Sequence, residues 1–223
     1  MASHDAPQCR KTRMNILAIG PHPDDIEFGC GGTLLRYGYS GNDIFELILT
    51  DGCVGGDPVI RKQEQEKASA AVNAKQLFWA GYRDTELEDN RALICSIEDV
   101  IRATNPEVVL VNSPEDSHQD HRAAARAAIA ATRNVKEVFF YESPTSMNFM
   151  PDIFVDITDI LEEKVKLLEL HASQIERTSI ENLRITEIAR AYATFRGVQG
   201  RVRYAEGFRG LRLLRNINDR MCL

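Results

Sequence analysis

Two short stretches hold three of the chain's five histidines and pair each cluster with carboxylates. The first is "HPDD", with His22 and Asp25 three residues apart in a proline-containing turn. The second is "SHQDHR", with His118 and His121 at the same spacing where an alanine-rich segment begins. Three chemistries fit the first stretch. Asp24 and Asp25 could simply cap the helix that follows, since Asp is a preferred N-cap. The "GCGGT" that comes next could cradle a phosphate on its backbone amides. Or the turn could be half of a metal site. The phosphate reading is the weakest, because the glycines match neither a dinucleotide fingerprint nor a P-loop and two carboxylates beside them would repel an anion. Two imidazoles and one carboxylate, with a coordination position left open, form a catalytic zinc arrangement, although other divalent metals share the ligand type.

Taken as a metal centre, the clusters divide the work by chemistry. Asp25 ligates, while Asp24 stays off the metal and is placed to take a proton from water. His118, near the ion but not on it, stabilises the developing oxyanion or protonates the leaving nitrogen. Asp120 holds that imidazole in orientation. The sum is metal-assisted hydrolysis of an amide.

Such residues need a scaffold that brings two distant segments together. Apolar strand-like runs alternate with helical segments, which is the signature of an α/β fold. "NILAIG", "IFELILT", "QLFWAG", "EVVLVN" and "EVFFYE" read as strands, with helices expected over Gly31 to Tyr39, Pro58 to Lys75, Arg91 to Thr104 and the "HRAAARAAIAATR" segment. "DIFVDI" reads as a further strand. Thr158 or Asp159 caps a helix running to Gln174, another helix covers Ile180 to Phe195, and "RVRYAEGF" is a final strand. Runs without strict alternation suggest parallel strands covered on both faces. The expected architecture is one three-layer, Rossmann-like domain over residues 14–223 with a mostly parallel sheet, preceded by a flexible tail over residues 1–13. Ligands of such sheets bind beyond the carboxyl ends of the strands. That edge collects His22, Asp24 and Asp25 after the first strand, Asp51 after the second and Asp84 after the third. Asp116, His118, Asp120 and His121 follow the fourth, and Tyr141 and Glu142 the fifth.

Composition narrows the partners. The 223 residues carry a net charge of -6, which argues against nucleic acid despite the arginine-rich run from Arg196 to Arg220. No apolar run approaches the roughly 20 residues that cross a bilayer. Cys9, Cys30, Cys53, Cys95 and Cys222 are odd in number and lack CxxC spacing, which suits free thiols in the cytoplasm. Of the remaining histidines, His4 falls in the tail and His171 is expected on a helix surface or subunit contact. Phe139, Phe140 and Trp79 read as core, with Tyr141 and Glu142 approaching the pocket.

"GPHPDDIEFGCGGTL" together with "SPEDSHQDHRAAARA" resembles the PIG-L/LmbE-like family of zinc-dependent de-N-acetylases. The likeness runs from about Asn15 to Arg212 and takes in "RKQEQEKASAAV", "DTEL", "FFYESP", "LHASQ" and "RYAEGF" in order. It implies ligation of one Zn2+ by His22, Asp25 and His121, Asp24 as general base, and His118 as acid or oxyanion stabiliser supported by Asp120. It further implies that Arg61 and Asp84 grip hydroxyls of an N-acetylated amino sugar or conjugate, and that the chain self-associates as a trimer or hexamer. Many relatives carry an acidic residue where this chain has Cys53 in "TDGCVGG", so the resemblance does not carry over the details of sugar binding at that position.

Overall fold

The computed structural model describes residues 13–178 and 180–214. Thus the expected tail, His4, Cys9 and Cys222 lie outside the described residues. The strands are β1 (Asn15–Gly20), β2 (Asp43–Thr50), β3 (Gln76–Tyr82), β4 (Val108–Asn112), β5 (Glu137–Tyr141), β6 (Ile153–Asp156) and β7 (Ala205–Arg212). The helices are α1 (Asp25–Tyr39), α2 (Pro58–Ala71), α3 (Arg91–Thr104), α4 (Gln119–Ala131), α5 (Leu161–Glu169) and α6 (Ile185–Gly200), with a 3-10 turn at Ala172–Gln174. Seven strands form one sheet in the order β3-β2-β1-β4-β5-β7-β6. The first five are parallel, while β7 runs antiparallel to both β5 and β6.

Why the inner strands read as unbroken apolar runs is now plain. Leu17 and Ile19 of β1 pack with Leu93 and Ile97 of α3 and the alanines of α4. Ile16 and Ala18, on the opposite face, pack with Ile26, Cys30 and Leu34 of α1. Both faces are covered, so alternation disappears. From β1 the chain winds outward through β2 and β3, then returns to place β4 on the other side of β1. The order therefore reverses between β1 and β4, and there a parallel sheet opens a crevice at its carboxyl ends. Residues Ile16 to Ile19 pair in register with Val108 to Val111, so both strands end level.

Several boundaries differ from the sequence reading. Helix α1 begins at Asp25 rather than Gly31, because the glycines serve packing inside the helix. Gly29 lies under the Tyr141 ring, whose hydroxyl donates to the Ile19 carbonyl at 2.7 Å. Tyr141 is thus core and not a pocket residue. The "GCGGT" amides do bind an anion, but it is the chain's own. The Glu206 carboxylate of β7 accepts from the amides of Gly32 (2.9 Å) and Thr33 (2.7 Å) and from Lys164 Nζ (2.5 Å). A Cβ on Gly32 would sit 3.1 Å from that carboxylate. Helix α5 stops at Glu169, and α6 starts at Ile185, where Glu187 reaches back to the Arg184 amide at 3.3 Å. The last strand starts at Ala205 because Arg201 ends α6 in a left-handed turn (φ 62°). Glu142 faces no pocket of the site either. It forms a two-pronged pair with Arg196 (2.5 and 2.6 Å), which buries the first arginine of the arginine-rich run. Phe139 and Phe140 are core as expected, whereas Trp79 is half-buried with the Lys62 ammonium 5.6 Å from its ring centre.

An alanine Cβ at position 29 would lie 2.0 Å from the Tyr141 ring. Gly29→Ala is therefore expected to cost about 3 kcal/mol by overpacking, a fall of roughly 10 °C in Tm for a chain of this size, read by thermal unfolding.

Candidate active site at the switch point

The loop after β1 and the loop after β4 meet where the strand order reverses. Pro21 is pinned by its carbonyl, which accepts from both the amide and the hydroxyl of Thr50 at 2.9 Å. His22 follows, buried. Its Nδ1 lies 3.2 Å from Asp25 Oδ2, while its Nε2 faces Asp84 Oδ1 (3.0 Å) and Asp120 Oδ2 (3.2 Å). His121, on the first turn of α4, is arranged the same way. Its Nε2 is 3.3 Å from Asp25 Oδ1 and its Nδ1 is 3.1 Å from Asp116 Oδ2. Asp25 therefore sits between two imidazoles whose outer nitrogens are each held by other carboxylates.

Those outer carboxylates are themselves fixed. Asp116 accepts from Ser143 Oγ (2.7 Å), Ser146 Oγ (3.1 Å) and the His118 amide (2.8 Å). Asp120 accepts from the amides of Thr85 (2.7 Å) and Leu87 (3.4 Å). Asp84 accepts from the Val54 amide at 2.9 Å. The expectation that the Asp120 carboxylate holds His118 is corrected here. That carboxylate turns to His22, and Asp120 reaches His118 only through its amide, which donates to Nδ1 at 3.2 Å. His118 thereby caps α4, and its neutral ring carries its proton on Nε2. Asp116, placed at the right strand end by the sequence but given no role, is the residue that sequence reasoning missed. Its spacing, five before His121, carries no signal until the Ser143 loop folds against it.

Four carboxylates around two imidazoles set the electrostatics. Burial disfavours charge on His22, but its hydrogen bonds to the carboxylates of Asp120, Asp25 and Asp84 outweigh it and raise its pKa well above the ordinary value. His121 is pushed up to about 9 against the same burial, chiefly by Asp25 and Asp116. Asp84 and Asp116 each fall to about 2 although burial opposes it, because each faces an imidazole. Burial, with the charges of His22 and His121, lowers His118. Ring centres stand 4.7 Å apart for His22 and His118, 4.9 Å for His118 and His121, and 5.4 Å for His22 and His121. Two sets bring one donor atom from each member within 4.8 Å of the others, His22-His118-His121 and His22-Asp84-Asp120. A cluster this rich in negative charge and imidazole nitrogen suits a dication.

Asp24 occupies the N-cap position of α1 without capping it, in a left-handed conformation (φ 92°). Its side chain stays 26 % exposed, toward a cavity of about 400 Å³ that His22, His118 and His121 also line. Burial raises its pKa to about 6, opposed by Arg61 and reinforced by Asp25. Arg61 is no surface charge. It is buried, donates to the carbonyls of Gly52 (2.8 Å) and Pro23 (2.6 Å), and lies 3.4 Å from Asp24 Oδ1. His171, expected on a surface, is also buried and part of the cavity wall. Cys53 stands half-buried in the loop after β2, its amide donating to Asp51 at 3.1 Å.

The chain matches a family model and several named relatives. Residues 17–132 match the family model "PIG-L: GlcNAc-PI de-N-acetylase". The chain is 32% identical over 220 residues to the diacetylchitobiose deacetylase of Thermococcus kodakarensis, covering 87% of this chain and 82% of that protein. It is 34% identical over 173 residues to the uncharacterized deacetylase YaiS of Escherichia coli (strain K12), covering 72% and 92%. In structure it is similar to N,N'-diacetylchitobiose deacetylase from Pyrococcus horikoshii, with a TM-score of 0.79 and 29% identity over 90% of this chain and 85% of that one.

Position 24 gives a direct test of the loop geometry. Asp24→Gly and Asp24→Ala both remove the carboxylate and differ only in a Cβ at φ 92°. Chemical denaturation is expected to show the glycine variant more stable by about 1 kcal/mol, the reverse of the usual order.

Proposed function

The chain belongs to the PIG-L GlcNAc-PI de-N-acetylase family, and from that premise we propose that it hydrolyses the N-acetyl group of an N-acetylglucosamine-type sugar or conjugate, releasing acetate and free amine. The observation that carries the reading is the Asp25 carboxylate set between His22 Nδ1 and His121 Nε2 at the wall of one cavity. We assign His22, Asp25 and His121 as the metal-binding residues in preference to the other two donor sets. Asp25 meets both His22 and His121, whereas Asp84 and Asp120 meet only His22, and His118 Nδ1 is engaged by the Asp120 amide. A bound dication, zinc by ligand type, would polarise the acetyl carbonyl and acidify water at the site.

The protein's own groups supply the rest. Asp24 faces the cavity with a pKa raised toward neutrality, which suits a group that must take a proton and give it up again. His118 carries its Nε2 proton into the same space and serves the oxyanion or the leaving nitrogen. Asp120 and Asp116 hold the ligand imidazoles by their outer nitrogens, fixing tautomer and direction. Arg61 and Asp84 border the cavity, which supports contact with sugar hydroxyls, although each also has protein partners. The proposal includes self-association, supported by large apolar side chains in solvent at Met150 (77 %), Val198 (66 %) and Phe195 (58 %). It includes a cytoplasmic setting, supported by Cys30, Cys53 and Cys95, which form no disulfide among the described residues. No helix among the described residues is long and apolar enough to cross a membrane.

Amine release from N,N'-diacetylchitobiose and from a panel of other N-acylated amino sugars, with metal counted per chain, tests the proposal. Asp24→Ala is expected to keep its metal and lose roughly 10²- to 10⁴-fold in kcat, whereas His22→Ala loses metal and turnover together. Normal turnover by Asp24→Ala would remove the base assignment, and no amine from any member of the panel would remove the substrate class. Asp116→Ala is expected to weaken metal binding by about 10- to 100-fold, measured by competition with a chelating dye.

A further inference from the structure

Behind the Asp24 loop lies a chain of buried polar side chains that the chemistry above does not use. Glu27 on α1, Glu46 on β2, Gln65 on α2 and His171 before the 3-10 turn are all fully or almost fully sealed from solvent. Gln65 Oε1 accepts from the Asp24 amide at 3.2 Å, and Gln65 Nε2 donates to Glu27 Oε1 at 2.7 Å. The other oxygen of Glu27 is 3.3 Å from His171 Nε2, an ion-pair distance that lies off the hydrogen-bond line. His171 is held in turn by the segment that follows it. Ser173 donates to Glu64 from its amide (2.8 Å) and hydroxyl (2.7 Å), and Gln174 donates to the Gly55 carbonyl (3.2 Å).

This arrangement is costly, since each buried polar group needs a partner and apolar side chains would pack there without that demand. What it achieves is orientation. A glutamine amide can present either end, but the Glu27 carboxylate only accepts, so the NH2 of Gln65 must face Glu27 and its oxygen must face Asp24. Asp24 needs that hold, because a non-glycine residue at φ 92° persists only where its surroundings over-determine it. Arg61 pins the carbonyl before Asp24 and Gln65 pins its amide. Glu46 makes no hydrogen bond to His171. Burial and the charge of Glu27 push its pKa up to about 8, and it accepts from the Ser69 hydroxyl.

We propose that His171 is a positioning residue, which through Glu27 and Gln65 holds the backbone of Asp24 in its left-handed turn. The proposal rests on Asp24 being the group that takes the proton, and its test has one arm that does not. In His171→Phe, kcat on N,N'-diacetylchitobiose is expected to fall about tenfold or more with KM within about twofold, because the substrate is bound but the base is loose. Metal per chain stays unchanged. In the same variant, without substrate, amide exchange across residues 22–25 is expected to quicken about tenfold. His171→Gln, whose amide can donate to Glu27, should restore both. If His171→Phe does not fold, Gln65→Met, at the middle of the chain and outside the cavity wall, must show the same exchange and the same kcat loss. Unchanged exchange in the folded variant overturns the proposal, as does a change in KM alone, which would make His171 a substrate contact. If the wild-type protein releases no amine, the proposed function fails while the exchange comparison still decides the relay.

Discussion

Everything in the site depends on one constraint, the level, in-register pairing of β1 with β4. Parallel strands cannot be neighbours in sequence without a crossover, so two loops almost a hundred residues apart end side by side only because the winding reverses there. Into that crevice the chain places far more negative charge than the two imidazoles can balance. Left to themselves such groups repel and desolvate at a cost. Their convergence is tolerated because hydroxyls and backbone amides support the outer carboxylates, and because a dication can take up the excess.

The same economy runs through the layer beneath. Glu206 from the last strand reaches the amides of the glycine cluster and meets Lys164 from α5, tying the middle of α1 to the C-terminal elements. Arg61 and Gln65, one helical turn apart on α2, hold the two sides of the peptide between Pro23 and Asp24. The Asp24 loop is therefore strapped from α2 and backed by α1, and a strained backbone at Asp24 survives where an isolated turn would relax.

How much of this could be read in the sequence follows from which interactions are local. The parallel core strands, the alternation of elements and the two His-plus-Asp clusters were legible, since apolar runs and three-residue spacings are written in adjacent letters. The start of α1 was not, because Gly29 and Gly32 look like breakers until Tyr141 and Glu206, more than a hundred residues away, explain them. For the same reason the partner of Asp120 was misassigned. Proximity in the chain pointed to His118, whereas the fold delivers His22, a residue 98 positions distant. His171 looked like a surface residue on a helix, because nothing near it in sequence tells of Glu27 on the distant α1. Asp116 needed the loop carrying Ser143 and Ser146 before its role could be seen.

The proposed site is defined by which atoms would share a bound ion. Anomalous diffraction at the zinc edge from crystals of the metal-loaded protein measures this most directly. The expected result is a single peak per chain, within about 2.3 Å of His22 Nδ1, His121 Nε2 and an Asp25 oxygen. A peak seated instead among His22, Asp84 and Asp120, or one ligated by His118 in place of Asp25, would contradict it.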